Sequence, residues 1–429
     1  MPSPTGGAVD RPAGGSPGAS PAAAETARVS RLLKSAAYFP IFNVHNDAVQ
    51  NDTVPLLPVA KQTLGQLLFT AVNVNEALHR FAVSMEMGPQ GLAASNRISR
   101  SPIGNVSIRW TPIPDDYAPS PGVSPPPTLL NPFRSQRFTM LNGQLSFDDR
   151  KVSGVKAFGS GLTFPVAGSS GALNIGAVID VLEGFGALYG LSNETLPGAT
   201  MVINGFIQPP QVLALNLILR VMDPNGELTA RTPVPPLVGS LPTPSGSGKF
   251  LFFLGEADPR RPMRLLYGPG GVPIGAHVVE TLRLVNVDFS VDGAASLRTS
   301  TREGPVVGTA SALLYCNFQD QLTVVPAQTT GSVFSFHDLQ GRSLGSVCAN
   351  MVEGRAFRTY LPGTPYPVFR LGGFGPLFRG TGIFAGAQGM MSTNGVVSAF
   401  PATLSNLYVL RIENPDARLQ ERLPGFGAH

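Results

Sequence analysis

Apolar and polar residues alternate along much of this chain. In 214–222 (ALNLILRVM), Leu215, Leu217, Leu219 and Val221 fall on one face, and Asn216, Ile218, Arg220 and Met222 on the other. A period of two marks a β-strand. Segment 407–412 repeats the pattern. Apolar runs predict further strands at 65–74, 80–86, 105–110, 138–147, 173–182, 200–207, 249–254, 263–267, 277–290, 306–317, 321–326 and 396–400. Asn204-Gly205 and Asn394-Gly395 lie between apolar stretches and predict type I′ hairpins. The best helix candidate is 27–38 (ARVSRLLKSAAY).

The pattern occurs twice. Ser146-Phe147-Asp148-Asp149 recurs as Ser335-Phe336-His337-Asp338, and Gly184-Phe185-Gly186 as Gly373-Phe374-Gly375, both offset by 189. Asn204-Gly205 and Asn216-Leu217 recur 190 residues later, and Arg220-Val221 recurs 191 later as Arg411-Ile412. Gly65-Gln-Leu-Leu-Phe resembles Gly248-Lys-Phe-Leu-Phe. Collinear matches at a nearly constant offset predict an internal duplication. The expected division is a Pro/Gly/Ala-rich tail with a short helix (1–54), a first β repeat (55–231), a linker (232–248) and a second β repeat (249–429). The offset grows by one residue between Asn406 and Arg411. If Arg411 does the work of Arg220, a β-bulge in 407–411 must absorb that residue.

Composition supports the class. The chain has 429 residues with 49 Gly and 41 Pro, and charged residues are only 14%. Long helices and coiled coils are excluded, and the 43% hydrophobic content opposes wholesale disorder. Net charge is +4, and the arginines are scattered without aromatic interleaving, so no nucleic-acid partner is expected. Two cysteines 32 residues apart make neither a disulfide scaffold nor a metal motif. Residues 1–27 lack the apolar stretch of a signal peptide, and no run is long enough for a transmembrane helix. A cytoplasmic protein with a disordered N-terminal tail, no membrane partner and a possible homo-oligomeric state is the expectation.

The densest motif is Gly380-Thr381-Gly382-Ile383-Phe384-Ala385-Gly386-Ala387-Gln388-Gly389. Glycines at this density let strands bend and pack closely. This string resembles the C-terminal signature of the allene oxide cyclase and dirigent families, over about 45 residues, 373–417. Gly184-Phe185-Gly186-Ala187-Leu188-Tyr189-Gly190 is a degenerate version in the first half. The resemblance implies two tandem antiparallel eight-stranded β-barrels, a hydrophobic interior cavity, a small hydrophobic ligand and no cofactor. It implies cyclase, isomerase or stereo-directing activity, carried by polar groups on inward strand positions.

The catalytic candidates are therefore Asp180, Glu183, Arg220 and Arg411, with Asn216, Asn406, Tyr408 and Phe384 as ligand-binding positions and no metal site. Asp180 lies in the apolar stretch 175–182 (IGAVIDVL), where a carboxyl is costly to bury and has a raised pKa. Glu183 competes with a solvated strand end. Arg220 and Arg411 compete with rim ion pairs to Asp223 and Glu413. His337-Asp338 reads as a general base or as a turn cap. No HExxH, G-x-S-x-G or P-loop motif occurs. The rival expectation is a non-catalytic protein with solid barrels used for assembly. A weaker rival is a metal enzyme built from distant histidines.

Overall fold

The computed structural model describes residues 37–38, 41–46, 53–55, 70–88, 91–112, 136–147, 153–166, 172–208, 212–223, 228, 240–242, 248–288, 300–318, 324–360, 367–399 and 402–413. The described residues are dominated by antiparallel strands, as expected. The predicted tail and helix lie outside them, apart from the short strands Ala37–Tyr38, Ile41–Asn46 and Thr53–Pro55. No helix among the described residues is long and apolar enough to cross a membrane.

Eight strands form the first half: β1 (Ile41–Asn46), β2 (Thr70–Gly88), β3 (Gly104–Pro112), β4 (Gln136–Phe147), β5 (Gly154–Pro165), β6 (Leu173–Phe185), β7 (Gly198–Gln208) and β8 (Val212–Met222). Each pairs with the next, and β8 pairs back to β1, closing a ring. The second half repeats this with β9 (Lys249–Ala257), β10 (Pro273–Asp288), β11 (Ser300–Cys316), β12 (Val324–His337), β13 (Glu353–Tyr360), β14 (Pro367–Phe378), β15 (Gln388–Ala399) and β16 (Ala402–Glu413). Here β16 returns to β9. Closure leaves no free strand edge within either ring. Segment 41–46, assigned to the tail by sequence, is the strand that closes the first ring.

Alternation decides what lies inside. Ile175, Ala177 and Ile179 on β6, Met201 and Ile203 on β7, and Leu215, Leu217 and Leu219 on β8 form one apolar cluster. The intervening residues of these strands face the second ring, so the sequence pattern placed both faces of β8 correctly.

Register sorts the sequence matches. Gly104 pairs with Phe147 and Gly308 with Phe336, so Ser146-Phe147 and Ser335-Phe336 are equivalent. Asn204 and Asn394 hold equivalent places in β7 and β15, opposite Asn216 and Leu407. They are mid-strand, so the hairpins predicted there do not form. The Gly-Phe-Gly match also fails. Gly184-Phe185-Gly186 ends β6, whereas Gly373-Phe374-Gly375 lies inside β14. The true counterpart of Gly186 is Gly382. Each opens a 3₁₀ turn at positive φ (65° and 59°), and each carbonyl accepts from the N–H three residues on, at 3.3 and 3.2 Å. Leu188 and Phe384 take the same fully buried place in these turns. The two glycine-rich turns, 184–190 and 380–386, thus correspond in conformation.

The predicted bulge at 407–411 is absent. β16 pairs with both β9 and β15 in unbroken register. The residue added between Asn406 and Arg411 instead puts them on opposite faces, because side chains alternate with period two. Arg411 keeps the seam-facing place of Arg220, and Asn406 moves to the inside of the second ring.

The halves are not independent. β2 runs beyond the first ring and turns into a strand at Gly91–Ser99. Phe81, Val83, Met85, Leu92, Ala94 and Ile98 of this hairpin belong to the apolar cluster of the second ring. Val83 pairs with Val287, its counterpart at the offset of 204 that also relates Gly104 to Gly308.

The turn glycines give a stability test. A Cβ on Gly382 would lie 2.2 Å from Leu344 O and 2.9 Å from Leu344 C, whereas one on Gly386, also at positive φ, meets nothing within 4 Å. Urea denaturation should show Gly382→Ala costing about 3 kcal/mol or more and Gly386→Ala only about 1 kcal/mol. Equal costs would mean that backbone strain alone, and not the close approach to Leu344, demands glycine at Gly382.

Candidate functional site

The seam between the rings collects four of the eight candidate residues, Asp180, Asn216, Arg220 and Arg411. Asn204 Nδ2 donates to Met390 O (3.1 Å) and Val409 O (3.4 Å) across it. Asn394 Nδ2 donates in return to Thr200 O and Ile218 O, both at 2.9 Å. Thr200 and Met390 are themselves counterparts, as are Ile218 and Val409, so the contacts are reciprocal in the manner of a two-fold interface. Arg220 Nη1 donates to Asn394 O (3.1 Å) and Ser405 O (2.7 Å). Arg411 Nε donates to Asn204 Oδ1 (3.1 Å) and Nη2 to Gly205 O (2.9 Å), while its remaining donors reach Asn174 and Glu413. Burial pulls the Arg220 guanidinium down to about 9. These arginines bridge the rings and are sealed from solvent.

Asp180 also faces the seam and not the interior of its ring. Arg370, from β14, approaches its carboxylate at 3.5 Å and donates to Thr200 Oγ1 (3.1 Å) and Asn193 O (3.0 Å). Burial raises Asp180 to about 6, against the pull of Arg370. Asn216 lies on the same seam face of β8. Glu183 is more than half exposed and pairs with Lys156 at 2.5 Å, the solvated strand end weighed against catalysis. Phe384 is buried against the Phe336 ring, with centroids 4.8 Å apart, and serves as core. Asp338 caps its turn, accepting from the N–H groups of Gln340 and Arg342 at 2.9 Å each.

Two candidates, Asn406 and Tyr408, do converge, around a residue that sequence reasoning missed. Glu280 on β10 projects into the second ring. The Tyr408 hydroxyl donates to its Oε2, and Asn406 Nδ2 donates to Oε1 at 2.9 Å. Asn406 Nδ2 also reaches the Tyr408 oxygen at 3.1 Å. Gly255 makes room for this group, since a Cβ there would stand 2.4 Å from Glu280 Oε1. A cavity of about 30 Å³ adjoins them, walled by Phe334, Leu314, Met351, Met391 and Thr393 among others. Thr393 Oγ1 and Asn406 Oδ1 are buried without a hydrogen-bond partner. Desolvation lifts Glu280 to about 7, partly offset by its two donors, and holds the Tyr408 phenol well above its ordinary value. Glu280 can therefore exchange a proton near neutrality while Tyr408 stays a donor.

The signal for Glu280 was present in Val278, Glu280, Leu282 and Leu284, a carboxylate on the apolar face of one strand. The first ring differs. Leu215 and Leu217 occupy the places of Asn406 and Tyr408, and both are fully buried in apolar surroundings. Among the described residues no group of three or more His, Cys, Asp or Glu converges as a metal site would require. No protein-family profile, curated protein or solved structure matches the chain.

Two pH experiments follow. Glu280 binds its proton more tightly folded (about 7) than unfolded (4.5), so the folded state holds the extra proton and stability falls as pH rises through this window. Glu280→Gln should remove that loss, gaining on the wild type by about 3 kcal/mol from pH 4.5 to pH 8 in paired denaturation curves. An unchanged difference across this range would place Glu280 in contact with solvent. Arg370→Met strands Asp180 in the seam and should cost about 3 kcal/mol at pH 8. At pH 5 the cost should shrink, because Asp180 then takes up a proton.

Proposed function

We propose that the second ring is the functional one. It binds a small, neutral, hydrophobic molecule against Glu280 and moves a proton on it without a cofactor, as an isomerase, cyclase or stereo-directing protein would. The observation that carries the reading is a fully buried carboxyl, held by Tyr408 and Asn406, whose pKa stands near 7. A protonated Glu280 can donate to a developing oxyanion, and its carboxylate can take a proton from carbon. A donation and a return leave substrate and product with the same atoms. Thr393 Oγ1, without a partner, is available to orient a polar substrate atom. The cavity of about 30 Å³ holds a water or two, so a substrate enters by displacing side chains. Met351 and Met391 in its wall are unbranched and adaptable, which suits that role. On this reading the rings arose by duplication as allene oxide cyclase- or dirigent-like β-barrels. The reciprocal seam supports the duplication, and Leu215 and Leu217 mark the first ring as the copy without the chemistry.

The small cavity also favours a second reading, in which both rings are solid and serve assembly. Native mass spectrometry separates the two. The proposal expects a stoichiometric adduct with a member of a panel of neutral unsaturated ketones and alcohols. Glu280→Gln should keep the adduct but lose deuterium exchange at the ligand's acidic carbon. No adduct at all would leave the solid-ring reading in possession.

A further inference from the structure

A second concavity lies at the end of the seam, away from the chamber. Its volume is about 520 Å³, and it is walled by Phe164 and Pro165 from the first ring and Leu377, Phe378 and Ala387 from the second, with Asn174, Arg379 and Gln388 as its polar side chains. None of the chamber residues lines it. Among the described residues twelve glycines adopt positive φ, and Arg379 (φ 51°) is the one non-glycine that does. A left-handed arginine is a conformational cost that glycine at the same place would avoid. Such an outlier at a concave site points to a function for the side chain. Arg379 is exposed, and no hydrogen bond or ion pair engages it. Glu413, opposite Gln388 in the strand pairing, is engaged by Arg411.

We infer that this groove is a binding site for a small aromatic anion, with Arg379 pairing its carboxylate or sulfonate and the rings of Phe164 and Phe378 receiving its planar body. An unpaired guanidinium beside an apolar wall matches such a ligand in both charge and surface. The site is independent of the chemistry proposed for Glu280.

Fluorescence titration of the full chain with 1-anilinonaphthalene-8-sulfonate and with N-phenyl-1-naphthylamine, the same rings without the sulfonate, tests it. The sulfonate should bind one to one, and the neutral compound at least tenfold more weakly. Arg379→Gly should weaken the sulfonate roughly tenfold, leave the neutral compound unchanged and not lower Tm, because glycine accepts the left-handed backbone. Gln388→Trp, which narrows the groove, should weaken the sulfonate too. The inference is overturned if the sulfonate fails to bind stoichiometrically, if the two compounds bind equally, or if Arg379→Gly leaves sulfonate affinity unchanged.

Discussion

Polar groups sealed between two sheets must find partners there, and this requirement governs the seam. Strands facing another protein layer normally present apolar side chains. Here β7, β8, β15 and β16 present Asn204, Arg220, Asn394 and Arg411, each fully buried. Their donors end on carbonyls of the opposite ring, so each ring completes the hydrogen bonding of the other. An apolar seam of the same area would tolerate sliding. A seam of directed bonds accepts one register, because a shift of one residue would leave several buried donors empty, at about 1–3 kcal/mol each.

The same face of the sheet explains why the chemistry sits in one ring. Seam positions are committed to holding the halves together, which leaves only inward positions free to change. In the first ring those positions on β8 are Leu215 and Leu217, both within the ring's apolar cluster. In the second they are Asn406 and Tyr408, and Glu280 has partners. Glu76 holds the register place of Glu280 in the first ring, opposite Val106 as Glu280 is opposite Ala310. The two acids hold corresponding backbone positions, and Glu280 meets its partners from β16 across the intervening strand β9.

The all-β class and the two faces of β8 were legible in sequence, because period-two alternation survives without tertiary information. Asn204-Gly205 and Asn394-Gly395 misled because the residues that suit a tight turn also suit a close sheet contact. Asn reaches across the seam, and the glycine after it leaves space for Leu215 or Asn406. Asp180 and Glu280 carried the same signal, a carboxylate in an apolar run. Only the parity of each strand tells that one faces the other ring and one faces inward. Strands β5 and β13 were missed because their glycines, lysine and arginines dilute the apolar pattern.

The hairpin 81–99 has a consequence for biosynthesis. Its apolar residues complete a core whose strands lie between 249 and 413, so they stay uncovered while the remainder of the chain is made. At ~5–20 residues per second this lasts on the order of tens of seconds. The first ring can close on the ribosome, yet it does so carrying an exposed apolar tongue. A chaperone that shields such a tongue, or a second chain that captures it, would compete with the proper partner during that interval.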